Sequence, residues 1–295
     1  MSGLALPVPA VSAAPPDTPA RAFRRRLRRH RPAMGGVLVI LLLVLITAIG
    51  PMLSPYGYDE QDVELLGRPM PPDLAHWLGT DNLGRDNLTR LLHGGRISVL
   101  VGFAAALVAT AIGTLVGALS GFFRGWVDTV LMRLTDVFLS IPPLPLILLL
   151  SGLLPPSVPV LVLIIGGLNW MSTARLVRGQ FLSLREREYV EAARALGGTS
   201  TRLIWRHMLP NALGPLIVAA TLAVGHAILV ESALSFLGFG VQPPTPTWGN
   251  LLNGARQWLD SAPWLAIPPG ILLFATLLAV NFIGDGLRDA LDARG

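Results

Sequence analysis

Apolar residues in this chain fall into six long runs, separated by segments rich in charge, proline and glycine. The runs cover residues 36–53, 97–123, 130–154, 160–176, 212–239 and 265–283. Roughly 18 or more apolar residues are enough to cross a bilayer as a helix, and a helix satisfies its own backbone polar groups there. The pattern predicts an all-α, polytopic membrane protein with six transmembrane helices. Within the second run, Gly113, Gly117 and Gly121 recur every four residues, a ridge that lets another helix approach closely. The third run holds Pro142, Pro143 and Pro145, which predict a kink or a local unwinding. A tight turn at 155–159 leads into the fourth.

The polar segments set the organisation. Residues 1–20 are rich in Pro, Ala and Ser and lack periodicity, a composition that does not bury a core. Seven Arg follow within 21–31, so 1–32 reads as a disordered, Arg-rich tail. Beside an apolar run, such a cluster is explained by the positive-inside rule and by anionic lipid, not by nucleic acid. Residues 33–96 then form the first span and an external segment, and 97–292 a core of five spans. Six spans place both ends on one side. With that side in the cytoplasm, 18 of the 23 Arg lie inside, and Arg68, Arg85, Arg90, Arg96 and Arg256 remain outside. The charged loop at about 180–210 is then cytoplasmic.

Composition removes several chemistries. There is no Cys, so disulfides, thiolate metal sites and a cysteine nucleophile are excluded. Every basic residue is Arg. Without Lys the chain lacks the residue that a P-loop extends to the β- and γ-phosphates, so any ATPase acting on it is another polypeptide.

The loop at 188–210 is longer than a return to the bilayer requires. Residues 184–196 suit a helix, with Arg187–Glu191 and Glu191–Arg194 spaced to pair and Tyr189, Ala193 and Leu196 forming a narrow apolar stripe. Gly197 and Gly198 stop it. Thr199 or Ser200 caps a second short helix with Leu203, Ile204 and Trp205, ending near Pro210. Two such helices suit a groove on another protein or, equally, the surface of a lipid leaflet.

Glu191, Ala192, Ala193, Gly197, Leu209 and Pro210 together resemble the coupling loop of binding-protein-dependent ABC importer permeases, with His207 where that pattern has an apolar residue. Residues 76–102, 231–251 and 281–292 resemble blocks of the second permease subunit of the dipeptide/oligopeptide/nickel family. The resemblance implies a type I ABC importer permease fold in the bacterial cytoplasmic membrane. It implies half of a translocation path for peptides, with nickel, glutathione or another small solute as alternatives. The implied partners are a homologous permease, two cytoplasmic ABC ATPase subunits that bind ATP and Mg, and an extracytoplasmic substrate-binding protein. The six coupling residues would dock on an ATPase, and this chain would itself hold no catalytic residue, cofactor or metal.

Ionisable and polar residues within the spans are candidates for function. Asn169 and Trp170, mid-span beside Gly166 and Gly167, are expected to line the path. Glu231 serves either the path or a bond between helices. Arg133, Asp136 and Asp285 read as interface charges or interhelical bonds. Outside, Asp81 and Asp86 lack the spacing of an EF-hand and suit a folded cap or a contact for the binding protein. Two rival functions find little support. His226 and Ser232, six residues apart, project to opposed sides of one helix and do not make a hydrolase dyad. An ion-coupled transporter calls for paired mid-membrane carboxylates or broken inverted repeats, which the sequence does not clearly contain.

Overall fold

The computed structural model of the chain describes residues 19–291, so the expectation for 1–18 falls outside the described residues. Among the described residues the regular secondary structure is helical, joined by irregular segments that hold two isolated bridges, Leu66–Leu83 and Thr80–Asp86. Four helices are long and apolar enough to cross a membrane, or six spans if each of two bent helix pairs counts as one. Leu38, Leu41, Leu45, Leu107 and Leu115 are exposed along these helices. An outward-facing apolar belt of that size belongs against lipid.

Helix α1 (Pro19–Arg29) corrects one expectation, because the Arg-rich segment is folded. Arg, Leu and Ala are strong helix formers, and α1 packs against α12 and α2. His30 fastens the corner. Its Nδ1 accepts the Ala33 N–H at 3.2 Å, and its Nε2 lies 3.4 Å from the Asp289 carboxylate. Helix α2 (Arg31–Leu53) starts five residues ahead of the apolar run because this cap and Pro32 in its first turn begin it there.

Residues 54–86 form a cap held by side chain–backbone bonds and one short 3-10 turn, Val63–Leu65. Asp86 ends it by capping α3 (Asn87–Phe123), which begins ten residues before the apolar run. The glycine ridge of α3 receives α7 (Met171–Arg185). A Cβ at Gly113 would lie 2.6 Å from the Trp170 carbonyl oxygen, and one at Gly117 would lie 2.4 Å from that of Ala174. Backbone meets backbone there, so only glycine fits.

The third run is two helices, α4 (Gly125–Ser140) and α5 (Pro143–Leu153), bent by 83°. The prolines break it as expected. The fourth run is also broken, into α6 (Val158–Gly167) and α7, bent by 47°. No proline stands at 168–170 to signal that break. Helix α8 (Glu188–Ala195), the single turn α9 (Ser200–Arg202) and a π-helical stretch (Leu203–Met208) lead into α10 (Leu209–Phe236). Helix α11 (Trp248–Ala255), not foreseen, starts at a capping box made by Thr247 and Asn250. Helix α12 (Ile267–Leu291) runs eight residues past the last apolar run, packed on α2 and α10.

The core has two main parts. One gathers Val101 and Ala105 of α3, Ile147 of α5, Ile164 and Ile165 of α6, and Ala227 and Leu234 of α10. The other lies beneath the 188–210 loop and joins Ala118 and Phe122 to Val177, Phe181, Val190, Leu203, Met208 and Ala212.

Candidate functional site

The 188–210 loop stands on a rigid base. Asp128 of α4 accepts two bonds from Arg178 of α7, at 2.6 and 2.7 Å, and a third from Ser120 of α3. Arg185 donates to the Phe122 carbonyl, and Arg124 pairs with Glu186 at 2.7 Å. Val190 is the anchor of α8 and is fully buried beside Phe181, Leu203 and Met208. Sequence periodicity pointed to Tyr189, Ala193 and Leu196 as one apolar stripe. Only Ala193 turns partly inward, whereas Tyr189 is 43% and Leu196 89% exposed. Glu191, Ala192 and Ala195 are exposed with them. Among the described residues Glu191 pairs with neither Arg187 nor Arg194, contrary to expectation.

Gly197 ends α8 at φ +82°, and the Gly198 N–H bonds the Ala193 carbonyl at 3.0 Å. That is the left-handed stop the double glycine predicted. Thr199 then caps α9 by accepting the Arg202 N–H. The second helix does not end near Pro210. The Leu209 N–H reaches back five residues to the Ile204 carbonyl, and this π register carries the helix past the proline. Asn211 Nδ2 takes the His207 carbonyl at 2.7 Å, supplying a donor where the ladder is disturbed. Leu209 and Pro210 therefore belong to the first turn of α10.

Glu231 joins three helices at the cap end of α10. It is fully buried. Ser235 Oγ donates to its Oε1 at 2.7 Å, and Ser98 Oγ of α3 donates to its Oε2 at 3.0 Å. Ser98 in turn accepts the Trp248 N–H of α11, and the Trp248 indole bonds the Leu91 carbonyl, each at 3.2 Å. Of its two readings, the bond between helices is the one the geometry places, and Glu231 does not line the cavity described next. Trp170 also departs from expectation. It is buried against Met171, Ala174 and the edge of Phe138, and it helps close the α6–α7 break.

Asn169 does face open space. A cavity of about 440 Å³ lies between α3, the α6–α7 junction and α10, with Asn169, Ser172, Thr173 and His226 as its polar walls. Asn169 Nδ2 donates to the Ile165 carbonyl at 2.6 Å, and His226 Nε2 lies 3.1 Å from Asn169 Oδ1. His226 and Ser232 turn to different partners, Asn169 and Glu231, so no dyad forms between them. As an ionisable residue within the fifth span, His226 is a candidate for the polar lining of the path as well as for that dyad, and the cavity wall is where it lies. Its place on the cavity depends on the α6–α7 bend, which no residue pattern announced.

In the cap, the Asp81 and Asp86 oxygens are committed. Asp81 accepts the Leu83 and Arg85 amides and the Arg85 side chain. Asp86 accepts from Thr89 and pairs with His76 Nδ1 at 2.9 Å. These bonds fold the cap. Asp136 meets Arg175 of α7 at 2.6 Å, an exposed pair between helices.

Residues 113–294 match the family model described as binding-protein-dependent transport system inner membrane component. Residues 18–72 match that of the N-terminal TM domain of oligopeptide transport permease C. The chain is 40% identical to the dipeptide transport system permease protein DppC of Alkalihalophilus pseudofirmus, over 94% of this chain and 90% of that one. It is 39% identical to the oligopeptide transport system permease protein OppC of Bacillus subtilis, over 91% and 88%. Among solved structures, inward-facing MetNI methionine ABC transporter aligns with a TM-score of 0.56 and 19% identity, over 68% of this chain and 96% of that chain.

Proposed function

We propose that this chain, which belongs to the family of binding-protein-dependent transport system inner membrane components, is the second permease subunit of an ATP-driven peptide importer in the bacterial cytoplasmic membrane. The observation that carries this reading is the shape of the 188–210 loop. Val190 fixes α8 to the helical core while Tyr189, Ala192 and Leu196 are presented outward beside Glu191. An apolar tip on a rigid base is a docking element, and a lipid-lying hairpin has no need of the buried anchor. The relatives named for dipeptide and oligopeptide transport support peptide as the substrate class.

In this reading the loop sits in a cleft of a cytoplasmic ATPase subunit, and a homologous permease supplies the other half of the path. An extracytoplasmic binding protein delivers the peptide to the 54–86 cap and the α11 region. This chain lacks the lysine of a P-loop, so ATP and Mg belong to the partner ATPases. The subunit contributes no catalytic residue. It converts closure of the ATPases into movement of its helices, and both of its ends lie in the cytoplasm.

The test is reconstitution. This chain is co-expressed with its homologous permease and both ATPases, and the complex is placed in vesicles with its binding protein. Uptake of a radiolabelled peptide that requires ATP is the expected result. ATP-dependent uptake of nickel or glutathione in place of any peptide would overturn the substrate class. Peptide uptake driven by an ion gradient without ATP would overturn the importer reading itself.

A further inference from the structure

The mid-membrane cavity holds no fixed charge, and its chemistry is set by one hydrogen-bond chain. Among its walls there is no Asp, Glu or Arg. A peptide passing here meets Asn169, Ser172, Thr173 and His226, with alanine and aliphatic residues around them. The order of donors along the chain can be read from its fixed end. Where the fourth span breaks, the Asn169 N–H bonds the Gly166 carbonyl at 3.4 Å, which leaves the Ile165 carbonyl to the Asn169 side chain. That acceptor is a carbonyl, so the Asn169 atom facing it is the amide nitrogen, and Oδ1 must accept. His226 Nε2, 3.1 Å from Oδ1, is therefore the donor.

A neutral imidazole with its proton on Nε2 carries a lone pair on Nδ1. His226 is exposed on the cavity wall, and among the described residues its Nδ1 makes no hydrogen bond. An ionisable side chain in the middle of a span, turned to an open cavity with one nitrogen spent and the other available, is placed for a ligand. Building on the peptide-importer reading, we infer that His226, oriented by Asn169, accepts a hydrogen bond from a backbone N–H group of the peptide in transit. The donor is an amide or the terminal ammonium; both offer the same N–H. A neutral acceptor suits a carrier. It attracts every peptide through the group that all peptides share, and it lacks the fixed charge that would hold one back. Asn169 is the positioning residue, sitting in the α6–α7 break and holding the ring from across the cavity.

The experiment uses the complete complex with its binding protein in vesicles. The probes are trialanine, trialanine methylated at both internal amides, and propionyl-dialanine, in which the ammonium is absent. For each probe the uptake rate of H226L is divided into that of the wild-type complex, so the binding protein's own preference cancels. Losing one neutral hydrogen bond lowers trialanine uptake by about three- to tenfold. H226Q offers an N–H to Asn169 and a carbonyl oxygen to the cavity, and it stays within about twofold of wild type because both bonds are kept. If the ratio falls to one for the methylated probe, the amide is the donor. If it falls to one for propionyl-dialanine, the ammonium is. H226A repeats the comparison should H226L not assemble. A ratio of one for trialanine, or the same elevated ratio for all three probes, overturns the contact and leaves the importer reading standing. A wild-type complex that carries none of these peptides overturns both.

Discussion

At Glu231 a carboxyl group is enclosed by the hydroxyls of Ser98, Ser232 and Ser235, and this arrangement decides what its removal does. Glu231→Ala leaves a void and strips buried hydroxyls of their acceptor, at a cost of roughly 2–4 kcal/mol. Glu231→Gln keeps one carbonyl oxygen and loses less. Thermal unfolding of the detergent-solubilised complex should rank wild type above Gln and Gln above Ala, and equal midpoints for wild type and Ala would remove Glu231 from this role. Gly197 shows the opposite balance. A Cβ there meets nothing within 4 Å, so a substitution pays only for the left-handed backbone, about 1 kcal/mol and less for Asp than for most residues. Gly197→Asp is expected to insert and assemble normally while placing a charge at the docking tip. ATP hydrolysis should continue with peptide uptake reduced at least tenfold, and uptake at the wild-type rate would count against coupling through this loop.

Among the elements, the contact between α3 and α7 was the most legible in advance. Glycines at 113, 117 and 121 announced a close approach, and α7 lies on them at backbone distance. Gly117→Leu should therefore separate the two helices and abolish recovery of the folded complex. Gly179→Leu, on an exposed side of α7 with open space around it, should be recovered and run normally in size-exclusion chromatography. Equal recovery of the two variants would contradict the ridge. The loop was legible in its stops and caps, because Gly197 and Thr199 act through local geometry. Its inward face was not, because Val190 is chosen by Phe181 of α7 and Met208 of the π-helical stretch, outside its own helix. Helices α1 and α11 were missed for related reasons. Arg-rich composition hides helix propensity behind charge, and Thr247 and Asn250 follow a run of prolines that reads as loop. The break in the fourth span depends on tertiary fit, and with it went any view of Asn169 and His226 as neighbours.

For the molecule as a whole, the Arg asymmetry supports an orientation that a chain without Cys makes easy to test. Leu74 in the cap is 97% exposed, and Leu196 at the loop tip 89%. Leu74→Cys should react with a membrane-impermeant maleimide in intact spheroplasts, and Leu196→Cys only after they are opened; the reverse pattern would invert the topology. The helix from Ser200 to Phe236 runs on through the π stretch as one element. At 1.5 Å per residue it is a rod of roughly 55 Å, with the loop at one end, the Glu231 junction near the other, and His226 between them. Its π stretch at 203–208 and Pro215 interrupt the hydrogen-bond ladder without ending the helix, so a twist applied at the loop is carried along one continuous element. The sharp bends lie in two other spans, at 141–142 and 168–170, and those are where motion between helices is expected to concentrate. Stiffening either bend should slow the cycle even with every docking and peptide contact left intact.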